Sequence, residues 1–474
     1  MSKLVNATRQ YDSLTANGAV THSTSLNSCL DMFFMAGATR RWDEKSIVQM
    51  FLKAHAENRN LAYQILFWAR DCRGGAGEKR FFRVVSKFLA EQPMHYSVRD
   101  EWEALAHIVP EFGSWKDLFV IESPDINRLD FLMHQLEESE HANLLAKWFP
   151  RKGPWFTAMH KYKGMSPKEF RKYLVAKTNV VETQMCKKLW SSIDYSKVPS
   201  VAMNRYRNAF HKNDEGRFIA FNQDVLDGKT TVNASTLHPH ELLQAMNQGQ
   251  DVVAVEAQWS SLPDYMEGST ERILPMCDVS GSMYGLPMDV SVALGLYISE
   301  RNKSIFKDAV LTFSSEPKMH YIQGDNLAER AVHLHGADWG MSTNLQAAFK
   351  LILDSAVREG LSESDMPTKL LIISDMEFNH CCSDTNFDAI KDQYINAGYV
   401  LPEVIFWNVN GRTGNVPVQG EEEGVGLVSG FSPSILKAIL QGKVETPLEL
   451  MLRAVDNDRY EVVKRTLELF ADTE

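Results

Sequence analysis

The run Asp278-Val279-Ser280-Gly281-Ser282 sets one carboxylate and two hydroxyls at alternate positions. Two later runs carry the same donor types. Gly340-Met341-Ser342-Thr343-Asn344 adds a threonine hydroxyl, and Ser374-Asp375 adds a second carboxylate. Mg2+ selects hard oxygen donors of this kind, favours octahedral geometry, retains several waters and usually takes only one or two carboxylates. Asp278, Ser280, Ser282, Thr343 and Asp375 are therefore candidate ligands for Mg2+ or another hard divalent cation. A position remains for water or for an Asp or Glu donated by a protein partner. Gly281 lets the loop backbone run tightly beside such an ion. A catalytic reading has less behind it, because a nucleophilic serine needs a general base within hydrogen-bond reach. His320, His333, His335 and His380 have no motif spacing to Ser280 or Ser282. The chain also lacks G-x-G-x-x-G, G-x-x-x-x-G-K-[ST] and H-E-x-x-H, so it is not expected to be an enzyme.

A second chemistry is basic. Residues 147–217 hold 16 Lys and Arg against 5 Asp and Glu, a net of +11. The whole chain is at −11, so the other 403 residues carry −22. A local field of that sign attracts phosphate whatever the total charge. The candidate RNA contacts are Lys147, Arg151, Lys152, Lys161, Lys163, Arg171, Lys172, Lys187, Lys188, Arg205, Arg207, His211 and Lys212. Aromatics run among them (Trp148, Phe149, Trp155, Phe156, Tyr162, Phe170, Tyr173, Trp190, Tyr195, Tyr206 and Phe210), and those that are exposed could stack on unpaired bases. Fewer than a third are expected at the surface. The turn from Arg70 to Arg80, with Gly74, Gly75 and Gly77, adds Arg73, Lys79 and Arg80 as a possible anion nest.

The elements that must position these residues change character near 250–272. Before that point apolar residues recur at helical spacing, as in Ile47, Val48, Phe51 and Leu52, or Phe81, Val84, Val85, Phe88 and Leu89. Ser166-Pro167-Lys168-Glu169 carries the cap, first-turn proline and returning glutamate of a helix start. Helix pairs about every 40 residues suggest a HEAT-like array. After 272 the expected strands are 273–278, 309–313, 319–322, 369–375 and 404–408. The helices between them are 288–301, 344–357 and 387–396, with 434–440 and 448–470 closing the chain. Strands alternating with helices imply right-handed crossovers and a doubly wound α/β fold with a parallel sheet, whose sites lie beyond the C-terminal strand ends. The expected domains are an α-helical HEAT-like repeat over 1–260, an α/β domain over 270–441, and a helical extension over 442–474.

Composition agrees with a folded chain of 474 residues: 44% hydrophobic, 23% charged. No apolar run reaches the roughly 18 residues of a membrane helix, and the first residues lack the apolar core of a signal peptide. Cys29, Cys72, Cys186, Cys277, Cys381 and Cys382 show no metal spacing and read as thiols of a reducing cytoplasm.

The Asp278–Ser282 run, Thr343 and Asp375 together resemble the metal-ion-dependent adhesion site of von Willebrand factor A domains, over residues 270–441. Four more motifs extend the resemblance: the Arg70–Arg80 turn, Lys147-Trp148-Phe149-Pro150-Arg151-Lys152, Tyr206-Arg207-Asn208-Ala209-Phe210 and His238-Pro239-His240-Glu241-Leu242. With them the chain resembles the Ro autoantigen family, whose TROVE module precedes an A domain, and is still more similar to an uncharacterised family joining the same halves. The resemblance implies helical repeats closed into a ring through the A domain. It implies a basic hole holding single-stranded RNA ends, an outer face holding structured non-coding RNA, and so a ribonucleoprotein. The rival reading is a protein-interaction scaffold whose A domain grips a partner carboxylate through Mg2+, or a structural assembly component.

Overall fold

The computed structural model describes residues 12–93, 97–121, 124–249, 251–313, 316–337, 344–379 and 386–471. Thr343, with Gly340, Met341 and Ser342, lies outside the described residues, as do His380, Cys381 and Cys382. The chain is multidomain α and α/β.

Two short strands, β1 (Ser13–Leu14) and β2 (Val20–Thr21), pair antiparallel and precede a succession of helices ending at Ser260. The breaks between helices are chemical. Asn58 ends the helix Glu44–Glu57 and caps the helix Arg59–Arg70, its side chain accepting from Leu61 N at 3.1 Å. The Ser166 cap behaves as its sequence predicts: Ser166 Oγ accepts from Glu169 N at 3.3 Å, and Glu169 Oε2 accepts from Ser166 N at 2.8 Å.

The second part holds a six-stranded sheet of β3 (Ile273–Cys277), β4 (Ala309–Thr312), β5 (Met319–Tyr321), β6 (Lys369–Ser374), β7 (Glu403–Asn408) and β8 (Val425–Ser429). Its order is β5-β4-β3-β6-β7-β8. Three expectations need correction. The sheet is mixed, because β5 returns from β4 through a short connection and pairs antiparallel. β8 was not foreseen, since Gly424, Gly426 and Gly430 dilute its apolar pattern; a Cβ at Gly426 would fall 2.5 Å from Leu450 Cδ2 and 2.8 Å from Ile405 Cδ1, so a larger residue there would make both side chains shift. The closing helix 448–470 is two helices, Pro447–Val455 and Glu461–Ala471. Between them Arg459 and Tyr460 turn inward to the buried Asp71 carboxylate, Tyr460 Oη donating to Asp71 Oδ2 at 3.0 Å.

The helical part meets the sheet part at both of its ends. The helix Ser28–Ala36 packs on β8, where Ser429 Oγ donates to Phe33 O at 2.8 Å and accepts from Gly37 N at 3.0 Å. The helix Pro239–Asn247 packs on the helix Leu286–Arg301, which lies over β3 and β6. The final helix packs against Arg59–Arg70 and Ser97–Leu105. One apolar core consequently runs from Ala19 to Leu467 through both parts, and a smaller one lies within residues 181–257.

Candidate functional site: a carboxylate pair and a basic helical face

β3 and β6 are parallel neighbours, with Cys277 opposite Ile373, so Asp278 and Ser374-Asp375 emerge at the same sheet edge. Asp278 is fully buried; its Oδ1 accepts from Ser280 N at 2.8 Å and its Oδ2 from Ser374 Oγ at 2.6 Å. Ser280 Oγ and Ser282 Oγ lie 3.1 Å apart, and Asp375 Oδ1 accepts from Glu377 N at 3.2 Å. Burial, then the Asp278 charge, raises the Asp375 carboxyl to about 7, while hydrogen bonding to Ser282 opposes the rise. Burial raises Asp278 as well. Asp278, Ser280, Ser282 and Asp375 thus come together as predicted by their element ends. All are oxygen donors, and among the described residues no group of three or more His, Cys, Asp or Glu is placed for a metal. The set suits a hard cation that tolerates few carboxylates, and not a zinc-type site. A divalent ion would offset the repulsion between two buried acids, so the residues present fit Mg2+.

The loop after Asp375 is held from outside the sheet. Met376 is buried at φ 66°, a region costly for a residue with a side chain. The β1–β2 turn clamps it: Thr15 Oγ1 donates to Phe378 O and Asn17 Nδ2 to Glu377 O, each at 2.6 Å. Glu377 also pairs with Arg412 at 3.2 Å. Sequence reasoning missed this clamp, because no local pattern links residue 15 to residue 378.

The basic candidates divide. Lys152, Lys161, Arg171, Lys172, Lys187, Lys188, Arg205 and Lys212 are exposed, as are Arg73 and Lys79. Arg207 is the clear correction. It is fully buried, bonded through NH2 to Gln258 Oε1 at 3.0 Å, and cannot meet a phosphate. Its helical position turns it inward, three residues from Asn204, whose carbonyl accepts from its Nε at 3.1 Å. Four others are committed internally. Arg80 donates to Thr39 O and Trp42 O at 3.0 and 2.7 Å, Lys163 pairs with Glu137, Lys147 with Glu182 at 2.6 Å, and His211 with Asp251 at 3.2 Å. Arg151 is half-buried. Of the eleven aromatics only Tyr162 is exposed, and Phe149, Trp155, Phe156, Phe170, Tyr195 and Phe210 are core.

Two cations that sequence reasoning passed over, Arg83 and Lys116, organise the face. Burial, then the charges of Arg83, Arg205, Lys147 and Lys79, pulls Lys116 below the ordinary lysine value. These groups come from the helices Lys79–Ala90, Ala142–Trp148 and Ser200–Leu226 and from the turn Trp115–Val120. Lys116 Nζ sits 3.6 Å from the centre of the Trp148 ring. Asp117, fully buried, accepts from Arg83 Nε and Arg70 Nε, both at 2.7 Å. Asp117 thus serves two cations, and Glu182 serves Lys147.

The structure therefore defines a helical array docked at both ends on a mixed α/β sheet, with an oxygen-lined carboxylate pair at the sheet edge. Residues 156–271 match the domain of unknown function DUF2828, and residues 272–469 match the domain of unknown function DUF7788. The uncharacterized protein L728 of Acanthamoeba polyphaga mimivirus is 30% identical, over 94% of this chain and 87% of its own length. The chain belongs to one family with that protein. The crystal structure of the Deinococcus radiodurans Ro (RSR) protein is matched over 91% of this chain and 100% of that one, at 12% identity and a TM-score of 0.45.

Proposed function

We propose that this protein is a non-enzymatic RNA-binding protein acting in the cytoplasm, holding single-stranded ends or structured non-coding RNA on its HEAT-like helical part. The observation that carries this reading is the convergence of Lys79, Arg83, Lys116, Lys147 and Arg205 from four separate elements. Gathering like charges is unfavourable, and a polyanion offsets that repulsion. Lys79, Lys116 and Arg205 are the exposed members of this group, and one phosphate at each would make log affinity for a single strand fall against log salt with a slope of about −2. The test is binding of labelled single-stranded RNA by protein stripped of nucleic acid, across a salt series. Lys116→Glu with Arg205→Glu should abolish binding at moderate salt. Absence of any salt-dependent binding would sink the proposal.

A second reading is supported by the buried Asp278–Asp375 pair. In it the C-terminal part is a von Willebrand factor A-type domain whose Asp278, Ser280, Ser282, Asp375 and Thr343 hold Mg2+. The ion supplies positive charge and an open position for a partner's Asp or Glu. Tyr284, 81% exposed two residues after Ser282, would flank that partner. Titration calorimetry with Mg2+ tests the site: Asp278→Ala should bind no ion, and a wild-type protein that takes up none refutes it.

A further inference from the structure

Beside the basic face lies a half-open cavity of about 720 Å3. Its walls include Trp115, Phe131 and Trp148, with the Trp115 and Phe131 rings 6.4 Å apart and inclined by 33°. His107, Gln135 and His141 add hydrogen-bonding edges, and Arg73 and Glu111 add one charge of each sign at the rim, Arg73 NH1 donating to Glu111 O at 3.0 Å. Lys116 and Lys147 lie 3.6 and 4.7 Å from the Trp148 ring centre, so the basic face begins at this wall. The wall is thin at Gly113, where a Cβ would fall 2.5 Å from Asp117 Oδ2 and 2.8 Å from Arg70 Nε, the two halves of a buried ion pair. Arg70 is 2% exposed, and its NH1 has no hydrogen-bond partner among the described residues. Arg70 and Arg83 share the single carboxylate of Asp117, so a net positive charge stands behind the cavity.

Flat aromatic walls, polar edges on which the charges of Arg73 and Glu111 balance, and the cations Lys116 and Lys147 at one side match the parts of a nucleotide. A purely apolar ligand would strip water from Gln135 and the histidines without replacing it. An acidic peptide would use the cations and leave the aromatic walls idle. We propose that this cavity takes one unpaired nucleotide of a bound RNA strand, its base against Trp115 and Trp148 and its phosphate at Lys116 and Lys147. The inference rests on the RNA-binding reading and adds a base-recognition site to it.

The test uses the full chain and single-stranded hexamers of adenine, of uracil, and of an abasic tetrahydrofuran unit with the same charge. Base-bearing hexamers should bind roughly tenfold more tightly than the abasic one, the effect of one or two stacked bases. Leu144, 39% exposed and lining the cavity, gives a filling variant: Leu144→Trp should lower the base-bearing hexamers to the abasic level and leave the abasic affinity unchanged. Gln135→Ala leaves the walls in place and should change the adenine-to-uracil ratio. Equal binding of all three hexamers at low salt overturns the cavity proposal while the RNA reading stands. Failure of every hexamer to bind overturns both. Tighter binding of adenosine monophosphate than of any hexamer, or competition by hexaglutamate as strong as by the abasic hexamer, also overturns it.

Discussion

Asp375 and Asp278 are acids placed where acids are unfavourable, and that placement has a pH signature. With the Asp375 carboxyl raised to about 7, the unfolded chain releases this proton first as pH rises. Stability in EDTA should therefore decline from about pH 4 and level near pH 7. Asp375→Asn should flatten the decline in thermal melts. Added Mg2+ should raise the melting temperature most where Asp375 is ionised, and not at all in Asp278→Ala. Arg205 and Arg207 make a second contrast at this scale, since two positions along one helix separate a surface charge from a core one. Arg207→Ala should cost about 1–3 kcal/mol, by leaving Gln258 Oε1 without its guanidinium donor. Denaturant unfolding would show that loss, and the salt slope of RNA binding should not move. Arg205→Ala should do the reverse, reducing the slope by about one unit.

Among elements, the junction of the Arg70–Arg80 turn, the helix Pro239–Asn247 and the loop after β8 concentrates strain of a titratable kind. The His238 and His240 rings stack at 5.6 Å, and His240 meets Phe431 edge-on at 5.3 Å. Burial lowers both histidines; the His238 ring lowers His240 further, Arg40 acts on both and Lys79 on His238, while Glu241 and Glu78 oppose the shift at His238. Their folded values lie below the unfolded one, near 6.5, so the unfolded state takes the protons first. The stabilisation is complete above about pH 6.5 and is lost as pH falls below it. Melting temperature should drop between pH 7 and 5.5, and His240→Phe should shrink the drop. An unchanged drop in that variant would place the acid sensitivity elsewhere. The closing helices show the other lesson of this scale. The apolar spacing of 448–470 is continuous enough to suggest one helix, yet Arg459 and Tyr460 find better partners at Asp71 than a helical surface would offer.

Over the whole molecule the chain closes on itself. Among the described residues, the first helix, Ser28–Ala36, covers the last strand, and the last helix covers the helices Arg59–Arg70 and Ser97–Leu105. Asp71 is the tie, fully buried and bonded to Arg459 NH2 at 2.6 Å across 388 residues of sequence. Asp71→Ala should cost roughly 3 kcal/mol, because it leaves the facing guanidinium and phenol without their shared acceptor. Equilibrium denaturation should show it. Exchange protection should fall in the last helix and in Arg59–Arg70 together, whereas a loss confined to one of them would mean that the two ends are not coupled.

Local pattern was enough for what depends on neighbours in sequence. The period of apolar residues, the Ser166 cap and the strand-end positions of Asp278 and Asp375 follow from short-range sterics and from the habit of parallel strands to present their C-terminal ends together. The net charge of 147–217 is likewise a matter of counting. Tertiary structure decided which charges face solvent, since a helix sends Arg205 outward and Arg207 inward with only Tyr206 between them. It also decided that Lys116 and Arg83 join Arg205, that β8 completes the sheet, and that residues 13–21 clamp the loop beyond Asp375. Each of these rests on contacts between residues far apart in the chain, and their energies are set by burial and partner geometry that no local spacing encodes.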